Sequence, residues 1–208
     1  MNVETRLAPL PQSGALSVRD QFPGIPAGWH YLDSAATAQK PQAVIDAMST
    51  AYGRDYATVH RGVYERSATM TQSFEAARAA TAALIGGATD EIVFTRGATE
   101  AINLVAHSYP RGNRNRILLS ALEHHSNIVP WQLAGYAIDV CPLTSDGQID
   151  LDAAEAMLTE QHALVSFAHV SNVLGSILDA RRAAILAHQV GAKLLLDGCQ
   201  AAPRLPVD

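Results

Sequence analysis

The sequence predicts an α/β fold, a mainly parallel sheet flanked by helices. Short solid apolar runs recur along the chain, the clearest being Lys193-Leu194-Leu195-Leu196-Asp197, and such runs suit strands covered on both faces. Between them lie segments with apolar residues at helical spacing. Aspartate or proline opens several of these segments and glycine closes them, which marks helices off from strands.

Residues 1 to about 28 read as a loosely structured arm, punctuated by Pro9, Pro11, Pro23 and Pro26. Tyr31 to Ala36 is a short extended piece entering a small-residue turn. Pro41 opens a helix at its first position, with Val44, Ile45 and Met48 on one face. A polar stretch, Arg54 to Arg66, precedes a second helix with Phe74, Ala77, Thr81 and Leu84 at helical spacing and a stop at Gly86-Gly87. Then the alternation begins. Glu91 to Thr95 is a strand, Arg96-Gly97-Ala98 a tight turn, and Thr99 to about His107 a helix buried through Ile102, Val105 and Ala106. Arg116 to Ser120 is the next strand. A polar loop, Glu123-His124-His125-Ser126-Asn127, leads to a helix with Pro130 in its first turn. Ala137 to Cys141 is strand, and Asp150 or Asp152 caps a helix containing Leu151, Ala154 and Leu158. Leu164 to Ala168 is strand, followed by the loop His169 to Gly175. Asp179 caps a helix with Ala183, Leu186 and Val190 that ends at Gly191. The Lys193 strand follows and is expected to be a central, fully buried one.

Composition narrows the function. At 208 residues the chain is long enough for one sizeable core, and 48% hydrophobic with 17% charged residues is ordinary for a soluble globular protein. A net charge of −5 leaves no basic footprint for nucleic acid. No apolar run reaches membrane-span length, and Met1 to Arg19 has no signal-peptide core. Cys141 and Cys199 make neither a disulfide framework nor a zinc spacing, so a reducing cytoplasm is expected.

Thr99, His124, Asn172, Asp197 and Gln200 each lie just after a predicted strand end. In a parallel sheet they gather on one edge, around one crevice. Singly, each has a plain structural reading. Thr99 and Asp197 could be caps, His124 a satisfied loop histidine, and Asn172 an Asx-turn residue. Together they suit a ligand. Arg96-Gly97-Ala98-Thr99-Glu100 is a glycine turn feeding a helix N-terminus, which attracts phosphate. It is neither a dinucleotide fingerprint nor a P-loop. His124 offers a flat ring for stacking, and Asp197 a carboxylate across the crevice. Phosphate, stacked ring and carboxylate describe pyridoxal 5′-phosphate (PLP), whose pyridinium nitrogen a carboxylate pairs with.

Several segments then carry a specific resemblance: Tyr31-Leu32-Asp33-Ser34-Ala35-Ala36, Val59-His60-Arg61-Gly62, Phe94-Thr95-Arg96-Gly97, Thr99-Glu100-Ala101-Ile102-Asn103-Leu104-Val105, Glu123-His124-His125-Ser126-Asn127-Ile128-Val129-Pro130-Trp131, His169-Val170-Ser171-Asn172-Val173-Leu174-Gly175 and Asp197-Gly198-Cys199-Gln200-Ala201. The chain resembles, from about Phe22 onward, the cysteine desulfurases of the sulfur-mobilisation type, in the class V aminotransferase group of PLP enzymes. The resemblance implies the large domain of PLP-dependent transferase fold type I. It implies that Thr99 and the Ala98 amide bind the cofactor phosphate and that His124 stacks on the ring and moves protons. Asp197 would pair with the pyridinium nitrogen, Gln200 with the ring hydroxyl, and Asn172 with the substrate or ring. Ala35, His60 and Arg61 would belong to the substrate site or to the active site of a partner subunit. The family is homodimeric, and passes sulfur from L-cysteine to acceptor proteins for iron–sulfur cluster assembly.

The departures matter as much. The family's Schiff-base lysine follows a Ser-Gly-His segment on the strand after the one ending at Asp197, and the chain reaches only Asp208. Its lysines are Lys40 and Lys193, and neither stands in that context. The family's mobile nucleophilic cysteine, its carboxylate-binding arginine and most of its small C-terminal domain are likewise missing. Ala98 stands where threonine is common. Cys199 is a candidate substitute nucleophile but is expected to be a packed core thiol. The expectation is therefore an N-terminal part, inactive alone, with residues 1–28 as an arm and 29–208 as an incomplete PLP-binding large domain. The rival readings are a non-catalytic truncated PLP-fold protein and a selenocysteine lyase or other class V aminotransferase-like enzyme. A metallohydrolase using His124, His125, His169 and Asp197 is disfavoured, because adjacent loop histidines should point apart and no His-x-x-x-His helix is present, so no metal is expected.

Overall fold

The computed structural model describes residues 18–110 and 112–207, so residues 1–17 of the expected N-terminal arm lie outside the described residues. The chain divides into two compact units, the first ending at Ala77 and the second beginning at Arg78.

In the first unit, α1 spans Gln42–Thr50. Pro41 is its N-cap rather than its first helical residue, because its backbone is extended at φ −68°, ψ 152°. Val44, Ile45 and Met48 share a face as expected, and all three are exposed. α2 (Glu65–Leu84) starts where buried Ser67 donates its hydroxyl to the Thr58 carbonyl at 2.8 Å. It crosses into the second unit and stops at Gly86, whose φ of 68° favours glycine.

The second unit carries the alternation. Its elements are α3 (Ala98–Ser108), β1 (Arg116–Ser120), α4 (Val129–Leu133), β2 (Ala137–Cys141), α5 (Leu151–Met157), β3 (His162–Ala168), α6 (Ala180–Gln189) and β4 (Lys193–Asp197). The four strands form one parallel sheet in the order β2-β1-β3-β4. Asp150 caps α5 by accepting the Asp152 and Ala153 amides, and Asp179 caps α6 through Arg182, so both expected caps are in place. Among the described residues no helix is long and apolar enough to cross a membrane.

Two expectations fail. Glu91 to Thr95 is not a strand: a helical turn occupies Thr89–Glu91, and the residues after it pair with no strand among those described. A short β-prone run becomes a strand only where a ladder partner receives it, and Val93 is 69% exposed. The Lys193 strand is not central either. It is the edge of the described sheet, paired with β3 alone and only partly buried. The apolar run reported correctly that both faces are covered. Leu194 and Leu196 pack against one core and Leu195 against the other. It carried no information about lateral neighbours.

Those two cores lie on opposite faces of the sheet, because side chains alternate along a strand. Leu118, Val165 and Phe167 join α5 and α6 in one. Ile117, Leu119 and Leu164 join Ile102 and Ala106 of α3 and Trp131 of α4 in the other. The helix after β1 therefore covers one face and the helix after β3 the other. Adjacent strands whose outgoing chains part in this way form a topological switch point, and the crevice of an open α/β sheet opens there at the carboxyl ends.

Candidate functional site

The parallel sheet brings the carboxyl ends of β1, β3 and β4 to one edge, with His124, Asn172 and Asp197 just beyond or at them. α3 covers the sheet beside β4. Its first residue, Ala98, lines a cleft of about 170 Å³ together with Leu195, Asp197, Gly198 and Cys199. The N-terminus of α3 is capped by no side chain. Its acidic first-turn residue, Glu100, turns back to accept the Arg96 amide at 2.6 Å, and Thr99 is exposed. A Cβ built on Gly97 or Gly198 would meet nothing within 4 Å, so the approach is open on both sides of the cleft.

Asp197 accepts the Cys199 amide at 3.0 Å, the turn role that the plain reading gave it. Its main-chain carbonyl accepts the His169 amide at 3.0 Å and so holds the start of the loop that carries Asn172. Asn172 is exposed, and beside it the buried Ser171 hydroxyl organises the turn by accepting the Val173 and Leu174 amides. Gln200 sits in the turn after Asp197, partly buried. Cys199 is exposed, contrary to the expected core position, because its turn lies outside the sheet. Burial around its sulfur, then the Asp197 carboxylate, push its thiol up to about 11.

His124 is exposed and caps the helical turn His125–Asn127. Its Nδ1 accepts the Ser126 amide at 3.3 Å and lies 2.8 Å from the Ser126 hydroxyl. An amide can only donate, so Nδ1 is an acceptor and the neutral ring carries its proton on Nε2. The His124 and His125 rings do not point apart: their centroids are 4.0 Å from each other at 43°. The turn that begins at His125 folds the second ring back over the first. Among the described residues no group of three or more His, Cys, Asp or Glu could hold a metal ion.

The hydrogen-bonded centre of this edge is Glu123, a residue given no role by the sequence. Its carboxylate accepts the Ser120 hydroxyl at 2.5 Å, the Ala168 amide at 2.9 Å and the Asn127 amide nitrogen at 2.7 Å. Burial pushes its carboxyl above the usual range, the three donors pull it back, and nearby Asp197 adds to the rise. Asn127 and Ser166, both fully buried, extend the network. The polar pair at 123 and 127, in a loop directly after a solid apolar strand, was the available signal.

Ala35, His60 and Arg61 belong to the first unit. His60 has φ +70°, a left-handed conformation that side chains rarely adopt. Its amide donates to Thr71 Oγ1 at 2.9 Å, its Nε2 lies 3.2 Å from Glu75, and its ring meets Phe74 edge-on. Arg61 and Ala35 are exposed, Ala35 in the turn after Asp33.

The aminotransferase class-V family model matches residues 30–208. The chain belongs to that family. It is 45% identical over 186 residues to a probable cysteine desulfurase of Halalkalibacterium halodurans, covering 86% of this chain and 46% of that protein. It is 43% identical over 206 residues to a cysteine desulfurase of Escherichia coli, covering 92% of this chain and 50% of that one. The cysteine desulfurase CsdA of Escherichia coli superposes with a TM-score of 0.82 at 36% identity, over 93% of this chain and 50% of that structure. The apo cysteine desulfurase of Thermococcus onnurineus NA1 gives 0.80 at 32% identity, over 93% and 49%. The fold is thus that of the PLP-dependent fold type I neighbours, and the chain spans about half the length of the curated relatives it matches.

The class-V family implies PLP; of the expected cofactor residues Ala98 and Asp197 line the cleft, whereas Thr99, His124, Asn172 and Gln200 do not. An uncapped N-terminus on an eleven-residue helix favours an anion, and a carboxylate across the same cleft favours a cation. Lys193 is exposed at the opposite end of β4 from Asp197, ~13 Å away at the rise of an extended strand, and Lys40 belongs to the first unit.

Proposed function

We propose that this chain is the PLP-binding part of a cysteine desulfurase, which converts L-cysteine to L-alanine and hands the sulfur to an acceptor protein for iron–sulfur cluster assembly. The observation that carries this reading is the one cleft lined both by Ala98, the first residue of an uncapped helix, and by Asp197. The relatives' names supply the reaction class. Ala98 and Thr99 hold the cofactor phosphate. Asp197 holds a proton on the ring nitrogen, and Gln200 meets the ring hydroxyl. His124 stacks on the ring and presents its Nε2 proton, while Asn172 contacts the ring or substrate. Bound PLP supplies an electron-withdrawing ring to the amino-acid substrate. Ala35, His60 and Arg61 serve the substrate site or a partner subunit's active site in a cytoplasmic homodimer.

The lysine census favours a second statement: these 208 residues bind PLP without covalent attachment and do not turn over cysteine by themselves. Lys40 and Lys193 are the chain's two lysines, and Lys193 stands at the opposite end of β4 from Asp197. Titration of the purified chain with PLP, followed by cofactor absorbance, should show saturable binding. Asp197→Ala and Thr99→Ala should weaken it by about tenfold, the worth of one charge-assisted hydrogen bond, and Lys193→Ala should leave it unchanged. No saturable binding by the wild-type chain would refute the cofactor site. Alanine formed from L-cysteine above a PLP-only blank would refute the predicted inactivity.

A further inference from the structure

We propose that Glu123 is the positioning residue for His124: its partly buried carboxylate closes the five-residue loop that presents the imidazole at the crevice. The role assigned to the imidazole rests on the PLP reading above, but the clamp is built from contacts within the second unit alone. Glu123 Oε2 accepts Asn127 Nδ2 at 2.7 Å, and the Asn127 amide donates back to the His124 carbonyl at 2.7 Å. The loop from 123 to 127 is therefore closed twice, once by side chains and once by main chain, with His124 inside both closures. Glu123 Oε1 accepts the Ala168 amide at 2.9 Å, and Ala168 is the register partner of Asp197. One carboxylate thus fastens the loop carrying His124 to the backbone position beside Asp197, across the switch point between β1 and β3.

The orientation of Asn127 makes this a directed clamp. Trp131 Nε1 donates to Asn127 Oδ1 at 3.0 Å, and the Ser166 hydroxyl donates to the same oxygen at 2.7 Å. An indole N–H can only donate, so the Asn127 amide must turn its nitrogen toward Glu123. Glu123 therefore receives donors from Ser120, Asn127 and Ala168, and no cation is among these partners. Even partial desolvation of a carboxylate held without a cation is costly, and an apolar staple would hold the strands at a lower cost. The carboxylate gives something an apolar staple cannot, a fixed direction for the loop. That direction sets the Ser126 amide onto His124 Nδ1 and leaves the ring proton on Nε2.

The test is nitrogen-detected NMR of the His124 ring in the 208-residue chain, alongside PLP titration. The wild-type ring should report the Nε2–H tautomer. Glu123→Gln keeps the shape, removes the charge and presents an amide to three donors. It should move the His124 nitrogens toward a mixture of tautomers and weaken PLP binding by about tenfold. Ser166→Ala, in the same network but without contact to Glu123, should lower stability and leave the tautomer alone. A folded Glu123→Gln chain with wild-type His124 signals overturns the proposal. If that variant does not fold, Ser120→Ala decides: it removes one donor, and unchanged His124 signals then overturn the proposal. Failure of the wild-type chain to bind PLP would count against the cofactor reading, while the tautomer result would still stand or fall for Glu123.

Discussion

Asn127→Ala should be among the most damaging single truncations in the second unit. Asn127 is 0% exposed and makes three side-chain hydrogen bonds, to Glu123, Trp131 Nε1 and Ser166 Oγ. Two of these join neutral groups and are worth ~1 kcal/mol each, and the one to the carboxylate ~1.5–3 kcal/mol. The partners cannot turn to water, since Trp131 and Ser166 are also 0% exposed. The loss therefore sums to about 4 kcal/mol, a fall of roughly 8–16 °C in the melting temperature for a chain of this size. Tryptophan fluorescence gives a clean assay. Of the two tryptophans, Trp29 is 59% exposed and already meets water, so the red shift on unfolding reports Trp131. Ser166→Ala serves as a scale, losing one neutral bond and ~1 kcal/mol. An Asn127→Ala cost below ~1 kcal/mol would refute the network, because it would mean that its buried donors find partners elsewhere.

Acid should act on a different cluster. The Arg116 guanidinium holds the Asp139 carboxyl below its usual range, with Arg116 Nε at 2.6 Å and the buried His162 Nε2 at 3.0 Å. A carboxyl depressed in the folded state stabilises above its unfolded pKa near 4, and that stability is lost as pH falls through the folded value. Asp139→Asn should cost ~1 kcal/mol at neutral pH, discounted for the part-exposed Arg116, and should flatten the stability slope below about pH 4. Equal slopes in the two proteins, measured by urea unfolding across that window, would contradict this. The cysteines give a second pH test. Both thiols are pushed up to about 11, mainly by burial. Alkylation at neutral pH should be slow and confined to exposed Cys199, and its rate should climb toward pH 11. Rapid modification of Cys199 at pH 7 would show a thiolate that the structure does not support.

Much of the fold was legible because the second unit is governed by local rules. Asp150 and Asp179 cap the helices they were expected to cap, and β1, β2 and β4 fall where their apolar runs lie. What was illegible depends on neighbours distant in sequence. Nothing in Glu91 to Thr95 says whether a ladder partner stands beside it, and nothing in Lys193 to Asp197 distinguishes an edge from a centre. At the site, the gathering of His124, Asn172, Asp197 and Gln200 at one edge follows from parallel strands alone, whereas Thr99 follows no strand, because Glu91 to Thr95 does not form one. Glu123 escaped notice because a loop carboxylate normally faces water. The polar pair at 123 and 127 hints at a network, but its decisive partner, the Ala168 amide, is forty-five positions away.

The order β2-β1-β3-β4 also constrains how this sheet can assemble. Every ladder joins distant segments: Arg116 meets Ala137 and His162, and Leu164 meets Lys193. No pair can zip from a hairpin turn, so each strand must wait for the helix before it to close a loop. β1 is the only strand of the four that touches both the segment made next and the segment made after that. A growing chain can lay β2 against it early, but its other flank stays bare until β3 emerges. In that interval the Ser120 hydroxyl is the one strand contact Glu123 can make, and the arrival of Ala168 completes the set. The carboxylate at the switch point therefore marks the moment when the two halves of the sheet become one.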